Sequence, residues 1–364
     1  MNSLNLNKSF FVLWLISLTV FNSSIYGVRI FFILYSVAYP TLYLLSNSSL
    51  VVKKEFLWVM GFSFFWTLYF SFWFFLNINS ISFDLSGPNV EMFTPFLYLT
   101  NIFSFIMLSR LSNFFLKDSL KTFLKIYCLF LVVDCIYRYF VEPNCFLNYS
   151  CRFEAKTVGF HSTTNALGLS LIVIISSLLY INAKSFYKIV LPALLLSSMA
   201  RAAIVAQLVG YGVKTYLNRG LILKFFFIFL SISLLYYIYL INPFDIFSDG
   251  SFLTKIDFFN SALNILPHSN TRQLLLGYGS NFKEVTEIVG VDGFSPHAPM
   301  LKAFFYFGFI GVFLYFSSLL SYLSLAPGMW FVAMVFLICS IAGAPIYFPT
   351  LIPAFLILRY FKAA

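Results

Sequence analysis

The sequence predicts an all-α membrane protein that crosses the bilayer about twelve times. Of its 364 residues, 60% are hydrophobic and only 10% are charged, whereas a soluble protein carries roughly a quarter charged residues. Apolar runs long enough to cross a bilayer recur from one end of the chain to the other. Basic residues also collect in alternate loops between these runs, as polytopic proteins require. We therefore expect a single integral membrane domain over 1–364.

The apolar runs define the predicted spans in chain order. They cover 9–22, 26–46, 55–76, 93–109, 121–140, 165–183, 188–200, 202–217, 224–243, 299–322, 328–346 and 349–358. Loops on the side of the N-terminus are short, which excludes a nucleotide-binding domain on that side.

Charge sets the predicted orientation. If the N-terminus is inside, the loops on that side collect 14 basic residues and only two acidic ones, Glu55 and Asp118. The opposite loops hold ten acidic residues and fewer basic ones. By the positive-inside rule, both termini are expected in the cytoplasm. The net charge of +10 therefore reflects membrane orientation, and no nucleic-acid partner is expected.

Two outer loops exceed the others in length, 142–164 and 244–299. Apolar alternation in the second loop predicts short helices that lie along the membrane surface. Connections of this length are usually functional. In the first loop, Cys145 and Cys151 flank five residues, and either a short disulfide or two free thiols fits this spacing.

Arg201, in the sequence SSMARAA between two short spans, is one candidate site residue. A charged residue at membrane depth marks a functional site by default. Its guanidinium suits a phosphate or pyrophosphate. The alternative is an arginine at a helix end whose head group reaches water.

His297 is a second candidate, in the stretch FSPHAPMLKAFFYFGFIG at the entrance of a span. Imidazole has an ordinary pKa of about 6.5 and exchanges protons near neutral pH. At the outer end of a span it is suited to deprotonate a sugar hydroxyl. His161, in the first outer loop, is the rival base, and the plain alternative is an interfacial histidine without a role.

The large outer loop supplies further cations. Lys255 opens its candidate surface helix, and Arg272 precedes LLLGYGSNF, where Gly277 and Gly279 allow close backbone approach. With Arg201, these residues make an otherwise acidic face locally cationic. This contrast favours an anionic, lipid-linked substrate, although loop lysines are more often simply solvated.

The order of these motifs resembles the family of O-antigen polymerases and O-antigen ligases. That family has a histidine at the end of a large outer loop, followed by G-x-x-G in the next helix, here His297, Gly308 and Gly311. It also has an R…G…N…G pattern entering a span and a serine–arginine–small motif at a helical hairpin. The matching residues are Arg152, Gly159, Asn165, Gly168 and Arg201. The chain departs from the family at Ala298, where asparagine is common, and at Lys255, where the family has arginine.

The resemblance implies a GT-C-like fold in the bacterial inner membrane, with the active site facing the periplasm. It implies metal-independent, cofactor-free inverting glycosyl transfer from an undecaprenyl-pyrophosphate-linked oligosaccharide. Polymerisation of repeat units is favoured. Transfer to the lipid A core by a ligase is the alternative, and a lipid-linked oligosaccharide flippase or other transporter is a further one.

The resemblance also implies roles for individual residues. His297 and Arg201 are expected to be catalytic. Substrate contacts are expected from Lys255, Arg272, Arg152, His161 and Asn165. The expected partners are the lipid-linked oligosaccharide, membrane lipids, a chain-length regulator and a flippase.

Overall fold

The computed structural model describes eleven parts of the chain. They are 7–20, 26–46, 52–77, 94–137, 164–182, 186–198, 200–217, 260, 263–279, 299–340 and 347–361. All regular secondary structure within these ranges is helical, which confirms the predicted all-α class. The predicted span 224–243, the loop cysteines and most of both outer loops lie outside the described residues.

Twelve α-helices are defined within the described ranges. They are α1 (Lys8–Thr19), α2 (Tyr26–Leu45), α3 (Leu57–Asn77), α4 (Tyr98–Arg110), α5 (Asn113–Ile136), α6 (Thr164–Tyr180), α7 (Tyr187–Ser197), α8 (Arg201–Leu217), α9 (Thr271–Leu276), α10 (Pro299–Leu323), α11 (Met329–Ser340) and α12 (Leu351–Tyr360). Short 3₁₀ turns precede α3, α4 and α9, at Lys54–Phe56, Thr94–Leu97 and Leu266–His268. The turn before α9 and α9 itself confirm that the large loop contains short helices.

Two helices are long and apolar enough, by length and composition, to cross a membrane. They are Lys54–Leu76, which joins a 3₁₀ turn to most of α3, with 23 residues, and α10 with 25 residues. Six other apolar helices have 10 to 17 residues. Among these, α7 has 11 residues and α12 has 10, so the described bundle mixes long and short helices.

The start of α5 differs from the prediction. The predicted span began at 121, whereas the helix begins at Asn113. Ser112 caps it, because its hydroxyl accepts a hydrogen bond from the N–H of Phe115 at 3.2 Å. The charged residues Lys117 and Asp118 therefore lie on two polar helical turns before the apolar run begins.

One continuous apolar core joins the helices, and its largest fully buried side chains are tryptophans and tyrosines. Trp66 stacks on Tyr98 with parallel rings 5.4 Å apart. Large apolar side chains also point away from this core on α2 and α3. Leu34 is 62% exposed, Trp58 66% and Phe75 76%. Such surfaces are costly in water and favourable in lipid.

Several helix ends meet at one end of the bundle, which we call the basic end and define by Lys8, Lys53, Lys214 and Arg359. Lys8 forms an ion pair with Asp118 at 2.6 Å. Arg359, at the end of α12, forms an ion pair with Glu55 at 2.8 Å and donates to the Leu325 carbonyl after α10.

Two further contacts join other helix ends to the basic end. The backbone N–H of Lys53 donates to the hydroxyl of Ser109 near the end of α4, at 3.1 Å. Lys214, near the end of α8, donates to the side-chain oxygen of Asn182 just after α6, at 2.6 Å. Tyr180, at the end of α6, lies against Gly328 and Trp330, which follow α10. Consequently α6, α8 and α10 all end at the basic end, and all three begin away from it.

A buried hydrogen-bonded group fixes the start of α12 against α3 and α4. The hydroxyl of Tyr347 contacts Thr100 and donates to the side-chain oxygen of Asn101 at 3.2 Å. The amide of Asn101 in turn donates to Ser63 on α3, also at 3.2 Å. All four side chains are buried. Buried polar groups need such partners, so this group fixes how α12 packs on the bundle.

Candidate functional site

The large loop over 244–299 meets the bundle where α9 packs against α10. We call this contact the α9–α10 joint and define it by Gly277, Tyr278, Gly308 and Gly311. Gly308 interrupts α10 with φ 67° and ψ −163°, a conformation that essentially only glycine adopts. The first segment of α10, 299–307, is therefore separated from the rest of the helix by a break at Gly308.

Two glycines let the backbones of α9 and α10 touch. A Cβ atom on Gly308 would lie 2.4 Å from the carbonyl carbon of Leu275, and one on Gly277 would lie 2.5 Å from the backbone nitrogen of Phe307. Real Cβ atoms do not approach that closely. Gly277 also has a positive φ of 80°, so both its conformation and its surroundings require glycine.

Three hydrogen bonds satisfy backbone carbonyls at the joint. The N–H of Tyr278 donates to Phe305 at 2.7 Å. From α3, the hydroxyl of Tyr69 donates to the carbonyl of Phe307 at 2.7 Å, and the indole N–H of Trp73 donates to that of Leu276 at 3.0 Å. An unpaired buried carbonyl costs about 1–3 kcal/mol. Helix α3 therefore stabilises both sides of the joint.

The ring of Phe307 fills the space between α3 and the joint. It packs edge-on against Trp66, Tyr69, Phe70 and Trp73, with the shortest ring separation, 4.8 Å, to Trp73. Behind it, a Cβ on Gly311 would lie 2.3 Å from the Cβ of Phe307. The second glycine of G-x-x-G is thus required where α10 resumes after its break.

Helix α9 has well-defined ends despite its length of 6 residues. Asn270 and Gln273 form a reciprocal capping box, with both side chain-to-backbone bonds at 2.9 Å. Gly277 ends the helix. Arg272 lies in the first turn and is exposed, so its guanidinium is accessible to a ligand.

A second group of predicted residues lies where α6 crosses α8. A Cβ on Gly168 would lie 2.6 Å from the Cβ of Ala200 and 2.9 Å from that of Ala203. Small residues at such a crossing let the two helix backbones approach closely. Since Arg201 opens α8 and Asn165 lies in the first turn of α6, the crossing brings their backbones to one region.

The two groups are connected through α11, which packs against α6, α8 and α10. Both groups lie away from the basic end, because α6, α8 and α10 begin at the opposite end of the bundle. His297 lies outside the described residues, but it precedes Pro299, the first residue of α10, by two positions. Lys255, Arg152 and His161 also lie outside the described residues, and their predicted roles stay predictions.

The structure adds three residues that the sequence interpretation missed. Tyr69 and Trp73 lie on one face of α3 with Trp66 and Phe70, a spacing typical of a packed helix face. Lys302 is the only charged residue in α10, yet it is just 6% exposed. That isolated charge in an apolar run was the signal that would have identified it.

Among the described residues, no group of three or more His, Cys, Asp or Glu side chains has the arrangement of a metal site. The basic residues at the two groups are Arg272 and Lys302, near the α9–α10 joint, and Arg201, which opens α8. Comparison with models of known protein families, with curated protein sequences and with solved structures finds no match for this chain.

Proposed function

We propose that the chain is an O-antigen or related surface-polysaccharide polymerase with about twelve spans and a GT-C-like arrangement. It would join undecaprenyl-pyrophosphate-linked repeat units at the periplasmic face of the bacterial inner membrane. The observation that carries the proposal is the α9–α10 joint. Direct backbone contact between Gly277 of the loop and Gly308 of G-x-x-G ties the large loop to the helix that His297 precedes.

Surface composition supports the membrane setting. The exposed apolar side chains of α2 and α3 form a surface that lipid would cover. Ion pairs at the basic end join the ends of separate helical elements, Lys8 with Asp118 and Arg359 with Glu55. Clustering of basic residues at one end is what the positive-inside rule expects of a cytoplasmic face, and it leaves the α9–α10 joint facing outward.

The position of Arg201 along α8, relative to the thickness of a membrane, supports a role for this residue. It lies thirteen residues before Lys214 on α8, which at the helical rise corresponds to about 20 Å. The hydrocarbon core is about 30 Å thick, so the Arg201 backbone begins within membrane depth if the basic end marks one surface. A guanidinium there is costly unless it serves an anionic ligand, and the donor pyrophosphate is such a ligand.

The proposed reaction is a single inverting displacement. The acceptor hydroxyl oxygen bonds to the anomeric carbon of the donor sugar as the bond from that carbon to the pyrophosphate oxygen breaks. His297 takes the proton from the acceptor hydroxyl. Arg201, helped by Arg272 or Lys255, stabilises the charge that develops on the leaving lipid pyrophosphate. Arg152, His161 and Asn165 would contact the donor from the first outer loop and the start of α6.

Deleting the gene and examining the cell's surface polysaccharide tests this function. We expect lipid A core that carries a single repeat unit in place of polysaccharide chains of many lengths. The wild-type gene should restore those chains. Core without any repeat unit, together with accumulated lipid-linked polymer, would contradict polymerisation and indicate a ligase. Lipid-linked single units that fail to reach the periplasm would indicate a transporter.

A further inference from the structure

A row of lysines runs along the outside of α5, and the proposed reaction gives it no role. Lys117, Lys121 and Lys125 follow one another at intervals of four residues, so they form a single ridge on the helix. Lys121 and Lys125 are exposed and Lys117 is half-buried, whereas Leu120 and Leu124 are buried in the core. We call the three lysine side chains the lysine ridge.

The acidic residue beside the lysine ridge pairs with another helix. Asp118 lies between Lys117 and Lys121 in the chain, and its carboxylate forms the ion pair with Lys8 of α1 at 2.6 Å. Four lysines therefore surround one aspartate, and the ridge keeps a net positive charge. Like charges four residues apart on a helix repel each other. An anionic partner from outside the helix would offset that repulsion.

The lysine ridge continues along α5 into exposed apolar side chains. Leu129 and Val133 extend the four-residue series beyond Lys125, and they are 65% and 55% exposed. A helix surface that is cationic in one half and apolar in the other matches the two parts of a phospholipid, its phosphate and its acyl chains. A soluble anion would gain nothing from the apolar half. The surface of α5 therefore favours a membrane lipid as the anionic partner.

The neighbouring helix repeats this pairing of a lysine with an exposed apolar side chain. Helix α7 packs against α5, and Tyr187 at its start lies near the thiol of Cys128, one turn beyond Lys125. Lys188 is the next residue of α7 and is partly exposed, and Ile189 after it is 75% exposed. Lys188 therefore adds a cation beside the end of the lysine ridge.

We propose that the lysine ridge and Lys188 bind the phosphate of an anionic phospholipid whose acyl chains lie along Leu129 and Val133. The ion pair of Asp118 with Lys8 places the ridge at the basic end, so the lipid belongs to the leaflet on that side. Anionic headgroups attract lysines at a membrane surface, and apolar contact adds to that attraction. The inference requires the membrane setting but is independent of the glycosyl transfer proposed above.

Binding of a fluorescent phosphatidylglycerol to the purified full-length protein in detergent micelles tests the inference. Removing two charges from the lysine ridge, Lys121→Gln with Lys125→Gln, should weaken binding about tenfold or more. Arginine at both positions keeps the charge and should bind within about threefold of wild type. The matched control, Lys53→Gln with Lys54→Gln, removes two charges at the basic end and should also stay within about threefold of wild type.

Three results would overturn the assignment. Equal loss of binding in the two glutamine variants would mean that the lipid responds only to the overall charge of the basic end. Phosphatidylcholine that competes as well as unlabelled phosphatidylglycerol would mean that the protein does not recognise the charge of the headgroup. Equally strong competition by glycerol 1-phosphate, which has no acyl chains, would indicate a site for a soluble anion.

A measurement on the unmodified protein covers the case in which the glutamine variants do not fold. A phosphatidylglycerol with a photoreactive group in one acyl chain should label α5 near Leu129 and Val133. Unlabelled phosphatidylglycerol should suppress that labelling, and phosphatidylcholine at the same concentration should not. Labelling that spares both α5 and α7 overturns the assignment.

Discussion

At the scale of single residues, the α9–α10 joint depends on glycines that no other residue can replace. Gly308 has a positive φ, and a Cβ atom added there would lie 2.4 Å from the carbonyl carbon of Leu275. The sequence predicted that Gly277 would let the backbone approach a ligand or turn tightly. In the structure it ends α9 with a positive φ and lies against the backbone of Phe307. The sequence did not predict the break in α10, because the contact partner, Leu275, lies in a distant stretch of the chain.

Gly308→Ala should reduce the free energy of unfolding by about 2 kcal/mol or more, from backbone strain together with the steric overlap. Thermal unfolding in detergent measures the effect. Gly61→Ala is the control, because a Cβ there meets nothing within 4 Å and alanine favours the helix. Equal melting temperatures for the two variants would contradict the account of the joint.

Tyr69→Phe removes the donor to the Phe307 carbonyl and nothing else. We expect it to lower the free energy of unfolding by about 1–3 kcal/mol, since the carbonyl stays buried without that bond. Polymer length on cells should fall as the loop loosens. Tyr211→Phe, at a 36% exposed position on α8, should change neither quantity. A Tyr69→Phe protein with wild-type stability would mean that this bond contributes nothing.

At the scale of helices, apolar runs predicted most boundaries well. The run 26–46 corresponds to Tyr26–Leu45, and 299–322 to Pro299–Leu323. At α5 the helix begins eight residues before the predicted span, because Lys117 and Asp118 interrupt the apolar run without ending the helix. A capping serine and charges on a helical face were the missed signals. Pairings between helices, such as α6 with α8, depend on side-chain fit, which the pattern of apolar runs does not encode.

Gly168→Ala tests that pairing. The added Cβ would overlap Ala200 at 2.6 Å, so α6 and α8 must separate, at a cost of about 1–3 kcal/mol. Because Arg201 opens α8, polymerisation should fall along with thermal stability. Gly212→Ala, where a Cβ meets nothing within 4 Å, serves as the control on α8. A Gly168→Ala variant that matches it in both measurements would contradict the close crossing.

At the scale of the whole molecule, the proposal requires the basic end and the α9–α10 joint to lie on opposite sides of the membrane. The described contacts group Lys8, Lys53, Lys214 and Arg359 at one end. Sequence alone predicted which loops share a side, because charge bias is a property of the chain. The sequence did not predict the role of α3 at the joint, since Trp73 and Leu276 are 203 positions apart in the chain.

Cysteine labelling checks this orientation. In a background with Cys135, Cys145 and Cys151 replaced by serine, Arg272→Cys should react in intact spheroplasts with a maleimide that cannot cross membranes. Lys121→Cys, on the polar turns of α5, should react only after lysis. Cys128 and Cys339 are buried and should give little background. The reverse pattern would contradict the proposed topology.

The central claim is that His297, just before α10, is the base for glycosyl transfer. Purified protein given undecaprenyl-diphosphate-linked repeat units measures this directly. His297→Ala should lose polymerisation by a factor of about 100 or more while it still binds the donor. His268→Ala, an exposed histidine in the turn before α9, should polymerise like wild type. Normal polymer from His297→Ala, or equal loss in both variants, would contradict the account.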